Sequence, residues 1–426
     1  MHFSPKCVII NESEKYMINV VDLFSGAGGM TLGFKYIIKN NTFKKSDVFD
    51  ILFANEFDKD AASTFRNNFP EINMVEKDIK NLTEEEIHRY LNGKNVDLII
   101  GGPPCQSFST VGKRVYDDKA KMYQEYLRLL KIIRPKMFLF ENVRGILSMK
   151  ETFYKTDNEG NILYDEIVSK TGRKSKKPQI DYYGDKILDK IEKEFKNIDN
   201  DFGYKIKYQV LKASDFGVPQ NRERVFIVGV RNDINKEWTF PTPLNNDTLS
   251  IKEAIDDLPE LKSGQSINKY NKEPGNYYQK LMRKKSNVLT QHIAADYGEK
   301  IRTVIKNVPQ GEGKNYFNKL VEEGRIDKKY YLTSGYANTY SRLIETEPST
   351  TITNNLTTPS ALRCIHYRDD RALSPREGAR IQSFPDWFDF SGNMGKVAMQ
   401  IGNAVPPLLA MAMAEQIRLF MEEKSE

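Results

Sequence analysis

Cysteine is scarce in this chain. Three occur in 426 residues, Cys7, Cys105 and Cys364, and no two form a C-x-x-C pair. That argues against a disulfide scaffold and a cysteine-ligated zinc site, and it fits a reducing compartment. Histidine is nearly as rare. His2, His88, His292 and His366 are scattered with no H-x-x-x-H spacing, so no metal site is expected. No run of 18 or more apolar residues exists, so neither a spanning helix nor a membrane partner is expected. The opening stretch MHFSPKCVIINESEKYMIN has no apolar segment ending in small residues, so no secretory signal is expected and the chain reads as cytoplasmic. One-signed charge is also lacking: 64 basic residues against 58 acidic ones leave +6, which permits a nucleic-acid partner without requiring one. What remains is a globular composition, long enough for two or three domains at about 100–200 residues each.

The first third alternates strand and helix signals. Ile18–Phe24, Val48–Asn55, Val96–Ile100 and Met137–Glu141 read as buried strands, and Met30–Ile38, Asp58–Asn68 and Lys121–Ile133 as helices. Short connections between them predict an α/β fold with a parallel sheet covered on both faces, whose ligands sit at the carboxyl ends of the strands. Lys150–Asp201 is polar, lysine-rich and off the rhythm, and reads as an insertion with a helix near Asp185–Phe195. Strand signals return at Ile206–Leu211 and Arg224–Val230. From Pro241 to about Asp370 the chain loses any period. Ser374–Gln382 and Val405–Met421 are helical again. The expected organisation is a catalytic domain over 1–240, a smaller irregular domain over 241–370, and a return to the catalytic domain over 371–426.

Five constellations carry chemistry. Asp22-Leu23-Phe24-Ser25-Gly26-Ala27-Gly28-Gly29 ends a strand in glycines ahead of a helix, which lets a ligand approach the backbone. The spacing is not G-x-G-x-x-G, so a dinucleotide is disfavoured. Glu56, past the next strand, suits a pair of ribose hydroxyls, and Asp78 occupies the third position round the same crevice. Together these favour an adenosine-containing cofactor without a pyrophosphate. Gly101-Gly102-Pro103-Pro104-Cys105-Gln106-Ser107-Phe108-Ser109 puts a cysteine in a rigid turn just past a strand, among Gly, Pro, Gln and Ser, where a thiolate could be exposed. Phe140-Glu141-Asn142-Val143 ends an apolar strand in an acid. Gln220-Asn221-Arg222-Glu223-Arg224 offers two arginines at i and i+2, and a surface ion pair with Glu223 is the plainer reading of them.

DLFSGAGG, PPCQSFS, FENV, QNRERVF, Arg371–Trp387 (RALSPREGARIQSFPDW) and Gln400–Pro407 (QIGNAVPP), in this order, resemble the DNA (cytosine-5)-methyltransferase family of the bacterial restriction-modification type. They span nearly the whole chain. The resemblance implies a Rossmann-like S-adenosylmethionine-dependent methyltransferase sheet with a target recognition domain at 241–370. It implies double-stranded DNA as substrate, a monomer, and a cognate restriction endonuclease as a functional rather than physical partner.

The implied reaction needs C5 of cytosine made nucleophilic. The Cys105 thiolate adds to C6 of a cytosine flipped out of the duplex, C5 takes the methyl group, and loss of the C5 proton with the thiol releases 5-methylcytosine. Glu141 would hydrogen-bond N3 of the ring while carrying or sharing a proton, which burial would favour. Arg224 would hold O2 and orient Glu141, and Arg222 would serve the nucleophile's proton or the backbone. Phe24 would stack on adenine, with Phe57 and Pro104 beside the cofactor. Glu56 would take the ribose, Asp78 the adenine amino group, and Gly26, Gly28 and Gly29 the methionine carboxylate. Asn403 would approach from the C-terminal end. Gln106 and Ser109 would close over the flipped nucleotide, and Thr353 would anchor recognition. Three rivals stay open: an inactive DNA reader, an amino-methylating enzyme, which would use no thiol, and the same chemistry on tRNA.

Overall fold

A computed structural model describes residues 17–104, 122–168, 174–199, 202–244, 247–361 and 363–423. Cys105, Gln106 and Ser109 lie outside the described residues. The chain forms two compact units. One holds Met1–Asn95, Leu211–Glu223 and Glu237–Glu426, and the other Val96–Val210 with Arg224–Lys236. Compactness therefore does not divide the chain at residue 240: the stretch from 241 to 370 shares a unit with the first strands and the last helices.

In the first unit, strand Phe49–Glu56 lies between Ile18–Leu23 and Asn73–Glu76, parallel to both. These strands are almost wholly buried, which is why they read as apolar runs without alternation. The register sets Leu23 opposite Asn55 and Glu56 opposite Glu76, so the carboxyl ends finish together. Asp58 caps the next helix, Lys59–Asn68, by accepting from the amides of Asp60 and Ala61. The helix expected over Met30–Ile38 stops at Lys35. Tyr36–Ile38 instead pairs with Phe43–Lys45, because Tyr and two Ile favour a strand and Asn40-Asn41 supply the two positive φ values of a tight turn.

Gly33 permits a close approach of two helices. A Cβ there would lie 2.5 Å from Ala410 Cβ and 2.6 Å from the Met411 amide, so helix Gly29–Lys35 seats directly on helix Pro407–Glu422. The region Met394–Glu422 is long and apolar enough to cross a membrane, yet most of it is buried inside the protein. The irregular region contains four short helices, Ile251–Ile255, Tyr277–Arg283, Glu299–Lys306 and Lys314–Glu322, each too brief to print a period.

Four arginines are completely buried here: Arg222, Arg371, Arg376 and Arg380. Arg380 reaches Asp257 at 2.7 Å and Asp386 at 2.6 Å; Arg371 pairs with Glu377 and Asp369, each at 2.7 Å. Arg376 donates to the carbonyls of Thr290, Pro385 and Phe388.

In the second unit, Leu98–Gly101 is parallel to Met137–Asn142. The early strands pair in parallel as expected, while Glu223–Arg231, for which the sequence implied no direction, runs antiparallel to Met137–Asn142 and makes the sheet mixed. The Tyr204–Lys212 strand lies beside it. The apolar runs told of burial on both faces, not of direction. The phenol of Tyr126, on helix Tyr123–Ile133, donates to the carbonyls of Ile99 and Leu139 and pins that helix to both strands.

Gly33→Ala should lower the melting temperature. Alanine favours a helix over glycine by about 1 kcal/mol, but the added methyl meets backbone of a packed helix, and overpacking costs about 1–3 kcal/mol. A thermal melt that rises in the variant would mean that propensity outweighs the contact.

Candidate active site

The first strand delivers Phe24 into a left-handed conformation (φ 56°), and Gly26 and Gly28 follow with φ values of 56° and 93°. The turn is tied to the neighbouring strand, with the Ser25 amide donating to the Asn55 carbonyl at 3.1 Å and the Gly26 amide to Glu56 Oε2 at 2.9 Å. A Cβ on Gly26 would meet nothing within 4 Å, so the backbone there faces open space. Glycines 28 and 29 have a packing duty instead: a Cβ would lie 2.5 Å from Phe69 and 2.6 Å from the Val405 carbonyl respectively.

Glu56 is buried and accepts from the amides of Gly26, Phe57 and Asp58. Burial raises its pKa although those three amides pull it down. A carboxylate offers about four acceptor positions, so one remains for a hydroxyl. Phe57 is 68% exposed, Phe24 is half-buried and Asp78 is exposed; the Asp78 side chain also caps the turn Ile79–Asn81. An open glycine turn, two accessible aromatic rings and acids at successive strand ends fit an adenosine-containing cofactor.

Two residues not singled out from the sequence stabilise this end. Asn55 donates to the carbonyls of Val75 and Lys77, fastening adjacent strands. Thr31 donates to Asp22, which is buried; burial raises the Asp22 pKa to about 7, with Glu56 adding to the rise.

In the second unit, the Met137–Asn142 strand ends in Glu141, which is ion-paired with Arg224 Nε at 2.9 Å, both side chains about one-tenth exposed. Strand pairing puts Phe226 opposite Glu141 and so sets Arg224 near its carboxylate. A Cβ on Gly102 would lie 2.8 Å from Glu141 Oε2. Asn142 donates to the Pro103 carbonyl at 3.3 Å, and its own side-chain oxygen accepts from the Val143 amide. The Gly-Pro-Pro turn is thus held against the acid by the residue next to that acid. Pro104 is the last described residue before the cysteine.

The arginine pair separates. Arg222 is not on the surface beside Glu223: its guanidinium donates to the carbonyls of Ile352 (3.1 Å), Gly402 and Ala404 (2.9 Å each). Of the two roles expected for it, the geometry supports the backbone one. Gln220 joins it, donating to Gln382 Oε1 and accepting from the Ile352 amide, while Gln220-Asn221 pairs with Ser349-Thr350. Thr353, half-buried, backs onto Gly402, where a Cβ would lie 2.4 Å from the Thr353 carbonyl carbon. Asn403 is exposed at the end of helix Met394–Asn403, two residues before Val405, which packs on Gly29.

An α/β unit with a glycine turn and acid-tipped strands, and a second with a Gly-Pro-Pro turn beside a paired glutamate, define a methyltransferase class. The family model for C-5 cytosine-specific DNA methylase matches residues 18–163 and 182–419. The Type II methyltransferase M.DdeI of Desulfomicrobium norvegicum is 32% identical over 421 residues, covering 95% of this chain and 89% of that protein. M1.HphI of Haemophilus parahaemolyticus is 31% identical over 412 residues, with coverages of 95% and 88%. A proposed DNA modification methyltransferase from a prophage (E. coli) shares the fold at a TM-score of 0.66 and 24% identity, covering 95% of this chain and all of that one. This chain belongs to the C-5 cytosine-specific DNA methylase family, and its activity is that of a DNA (cytosine-5)-methyltransferase.

Gly102→Ala should leave the fold intact and reduce turnover at least about tenfold, because the new methyl displaces a carboxylate that is buried and pinned by Arg224. Steady-state kinetics with a wild-type melting curve would establish it; unchanged turnover would remove Glu141 from the chemistry.

Asp22 gives a pH signature. Its folded pKa, about 7, lies above its ordinary value of 3.8, so the folded state holds the proton more tightly. The associated stability is present below about pH 3.8 and is lost as pH rises through 7. Urea denaturation from pH 4 to 8 should show this decline, and Asp22→Asn should flatten it.

Proposed function

We propose that this chain methylates C5 of one cytosine within a defined sequence of duplex DNA, with Cys105 as nucleophile and Glu141 and Arg224 at the ring. The observation that carries this reading is the Glu141–Arg224 pair, held against the turn that leads into Cys105. Cytosine C5 is unreactive while the ring is aromatic. The Cys105 thiolate forms a bond to C6 and breaks that aromaticity. Glu141 places a proton at N3 so that the charge does not accumulate on the ring, and Arg224 binds O2 and keeps Glu141 oriented. C5 then carries the electron pair that takes the methyl group. Loss of the C5 proton to water and cleavage of the C6–S bond, with the N3 proton going back to Glu141, return the thiolate and release 5-methylcytosine.

S-adenosylmethionine, when bound, supplies the methyl group as an electrophile on a sulfonium. In this chain Phe24 and Phe57 would flank adenine, Glu56 would take a ribose hydroxyl, Asp78 the adenine amino group, and the amides of the glycine turn the carboxylate. Pro104 and Asn403 would each also contact the cofactor. The base must leave the stack to reach Cys105, at a cost of a few kcal/mol, and Gln106 and Ser109 would fill the vacated position.

Region 241–370 would read the sequence, anchored through Thr353. It carries the Lys, Arg, Asn and Thr side chains that recognise base edges and phosphates. The ties of Ile352 to Gln220 and Arg222 support a fixed seat for that region. The Type II relatives support a cognate restriction endonuclease as the functional partner and a cytoplasmic site of action.

A duplex carrying 5-fluorocytosine at the target base tests the mechanism. It has no C5 proton to lose, so the enzyme should remain bound through Cys105 as an adduct that survives denaturing electrophoresis and requires S-adenosylmethionine. Cys105→Ser should form none and should lose at least ~10³-fold in methyl transfer, since an alkoxide forms far less readily than a thiolate. An amino-methylating enzyme or an inactive reader would also form none. Failure to trap, alongside methylation of ordinary DNA, would overturn the mechanism; labelling of tRNA in preference to plasmid would overturn the substrate.

A further inference from the structure

Between the Met137–Asn142 strand and helix Ile187–Lys196, the second unit carries a β-ribbon. Lys174–Pro178 and Ile180–Lys186 form one nearly continuous strand, and at about 3.3 Å per residue it is about 40 Å long. Its inner half pairs with Lys150–Tyr154 and its outer half with Tyr164–Val168, both antiparallel. Gln179 joins the halves, donating to the Leu163 carbonyl at 2.8 Å and accepting from the Lys155 amide at 3.0 Å. The root is firm: the Ile187 amide donates to the Met149 carbonyl, and Lys190 pairs with Glu151 at 2.6 Å. It leaves the sheet at the carboxyl end of the strand that bears Glu141, after the short turn Arg144–Leu147.

The ribbon's surface is unlike an ordinary solvated one. Tyr164, Ile167, Val168, Tyr182 and Tyr183 are each between 42% and 59% exposed, and Phe153 stacks on Tyr182 with centroids 4.4 Å apart. So much apolar surface on one small element marks a contact. Charge is uneven along it. The paired strands Tyr164–Val168 and Lys174–Pro178 carry three basic and two acidic side chains, whereas 150–163 with 179–186 carry three basic and five acidic. Lys174 reaches Glu166 at 3.5 Å with both side chains largely in water, a pairing weak enough to yield to phosphate. The family model leaves residues 164–181 unmatched, so the outer half is additional to the shared machinery.

We propose that the outer half of this ribbon, Tyr164–Val168 with Lys174–Pro178, is a second contact to duplex DNA, outside the recognition sequence. Its lysines would meet phosphates and its apolar side chains the groove. A two-stranded ribbon is one of the two elements that the major groove admits. This rests on the reading of duplex DNA as substrate. A second copy of the chain or another protein is the competing occupant for the apolar face, but the basic excess at the outer half favours a polyanion.

The test uses the full chain and two variants. In one, 164–178 is excised and Leu163 is joined to Gln179 through Asn-Gly, since those two residues are already hydrogen-bonded neighbours. In the other, Lys174, Lys176 and Lys177 are changed to Gln, which leaves the ribbon whole. Affinity is measured against salt on a duplex trimmed to about one helical turn round the target and on one extended by about two turns each side. On the long duplex both variants should bind at least about tenfold more weakly. The salt slope of the Lys→Gln variant should fall by about 2–3, at roughly 0.9 for each phosphate no longer neutralised. Affinity and turnover on the short duplex should stay at wild-type values. Wild-type affinity and slope on the long duplex, or equal losses on both duplexes, would overturn the proposal. So would a variant that changes only the oligomeric state in sedimentation, which would assign the face to protein. A wild-type chain that methylates no DNA would instead strike the substrate reading and not the ribbon.

Discussion

One guanidinium gathers three backbone carbonyls from two segments far apart in sequence. Arg222 holds Ile352, within the irregular region, and Gly402 and Ala404 at the bend between the last two helices. A carbonyl buried without a donor costs about 1–3 kcal/mol, so neither segment can sit where it does unless this cation is present. The consequences run outward through backbone contacts. Gly402 backs onto Thr353, Val405 packs on Gly29, and Gly29 opens the helix behind the glycine turn. The seat of the region expected to read DNA and the floor of the expected cofactor turn are therefore positioned by one side chain and its companion Gln220.

The buried arginines of the 371–386 segment extend the same logic with charge. Replacing a buried ion pair wholesale by apolar residues can be neutral, whereas removing one partner costs about 3–5 kcal/mol. Arg380 between Asp257 and Asp386 is therefore weak evidence for stability but strong evidence for position: it fixes where Asp257, just after Ile251–Ile255, meets the segment from 380 to 386. His366 sits in this network as a neutral group, its pKa lowered to about 4 by burial despite the pull of Glu377. It accepts from the amides of Arg368 and Asp369 and so shapes the turn that aims Arg371.

Legibility in the sequence followed the physics of each element. The buried strands and the longer helices were readable because burial writes itself as apolar runs and as a 3.6 period. The strand–helix alternation also implied the parallel direction of the early strands, whereas that of Glu223–Arg231 was not legible, since a doubly covered antiparallel strand has the same composition as a parallel one. The short helices between 251 and 322 and the ribbon were invisible for the opposite reason: their order comes from caps, turns and long-range ties that leave no period. Within the site, Glu141 and Arg224 were singled out separately by residue type and position, and only the family resemblance implied that they act together, a reading on which their ion pair now bears. The plainer reading of Arg222 as a surface partner of Glu223 does not hold, because nothing in QNRER distinguishes an arginine that faces an acid from one that faces carbonyls far along the chain.

The Glu141–Arg224 pair also constrains where the reaction's proton comes from. Glu141 is held by a guanidinium at 2.9 Å, whereas on the proposed mechanism stabilising the ring as the thiolate adds requires a proton between Glu141 and N3. The two demands are compatible only if the proton is taken up when the base enters. N3 then offers Glu141 a shared hydrogen bond, and the O2 of the base draws part of the Arg224 donor capacity away from the carboxylate. Arg224 has donors enough for both partners, and Glu141 has a second oxygen, the one that Gly102 leaves room for. On this account the glycine is required for space rather than for its conformational freedom. On the proposed mechanism the acid is brought into play by the base that needs it, and it stays paired with Arg224 while no base is present.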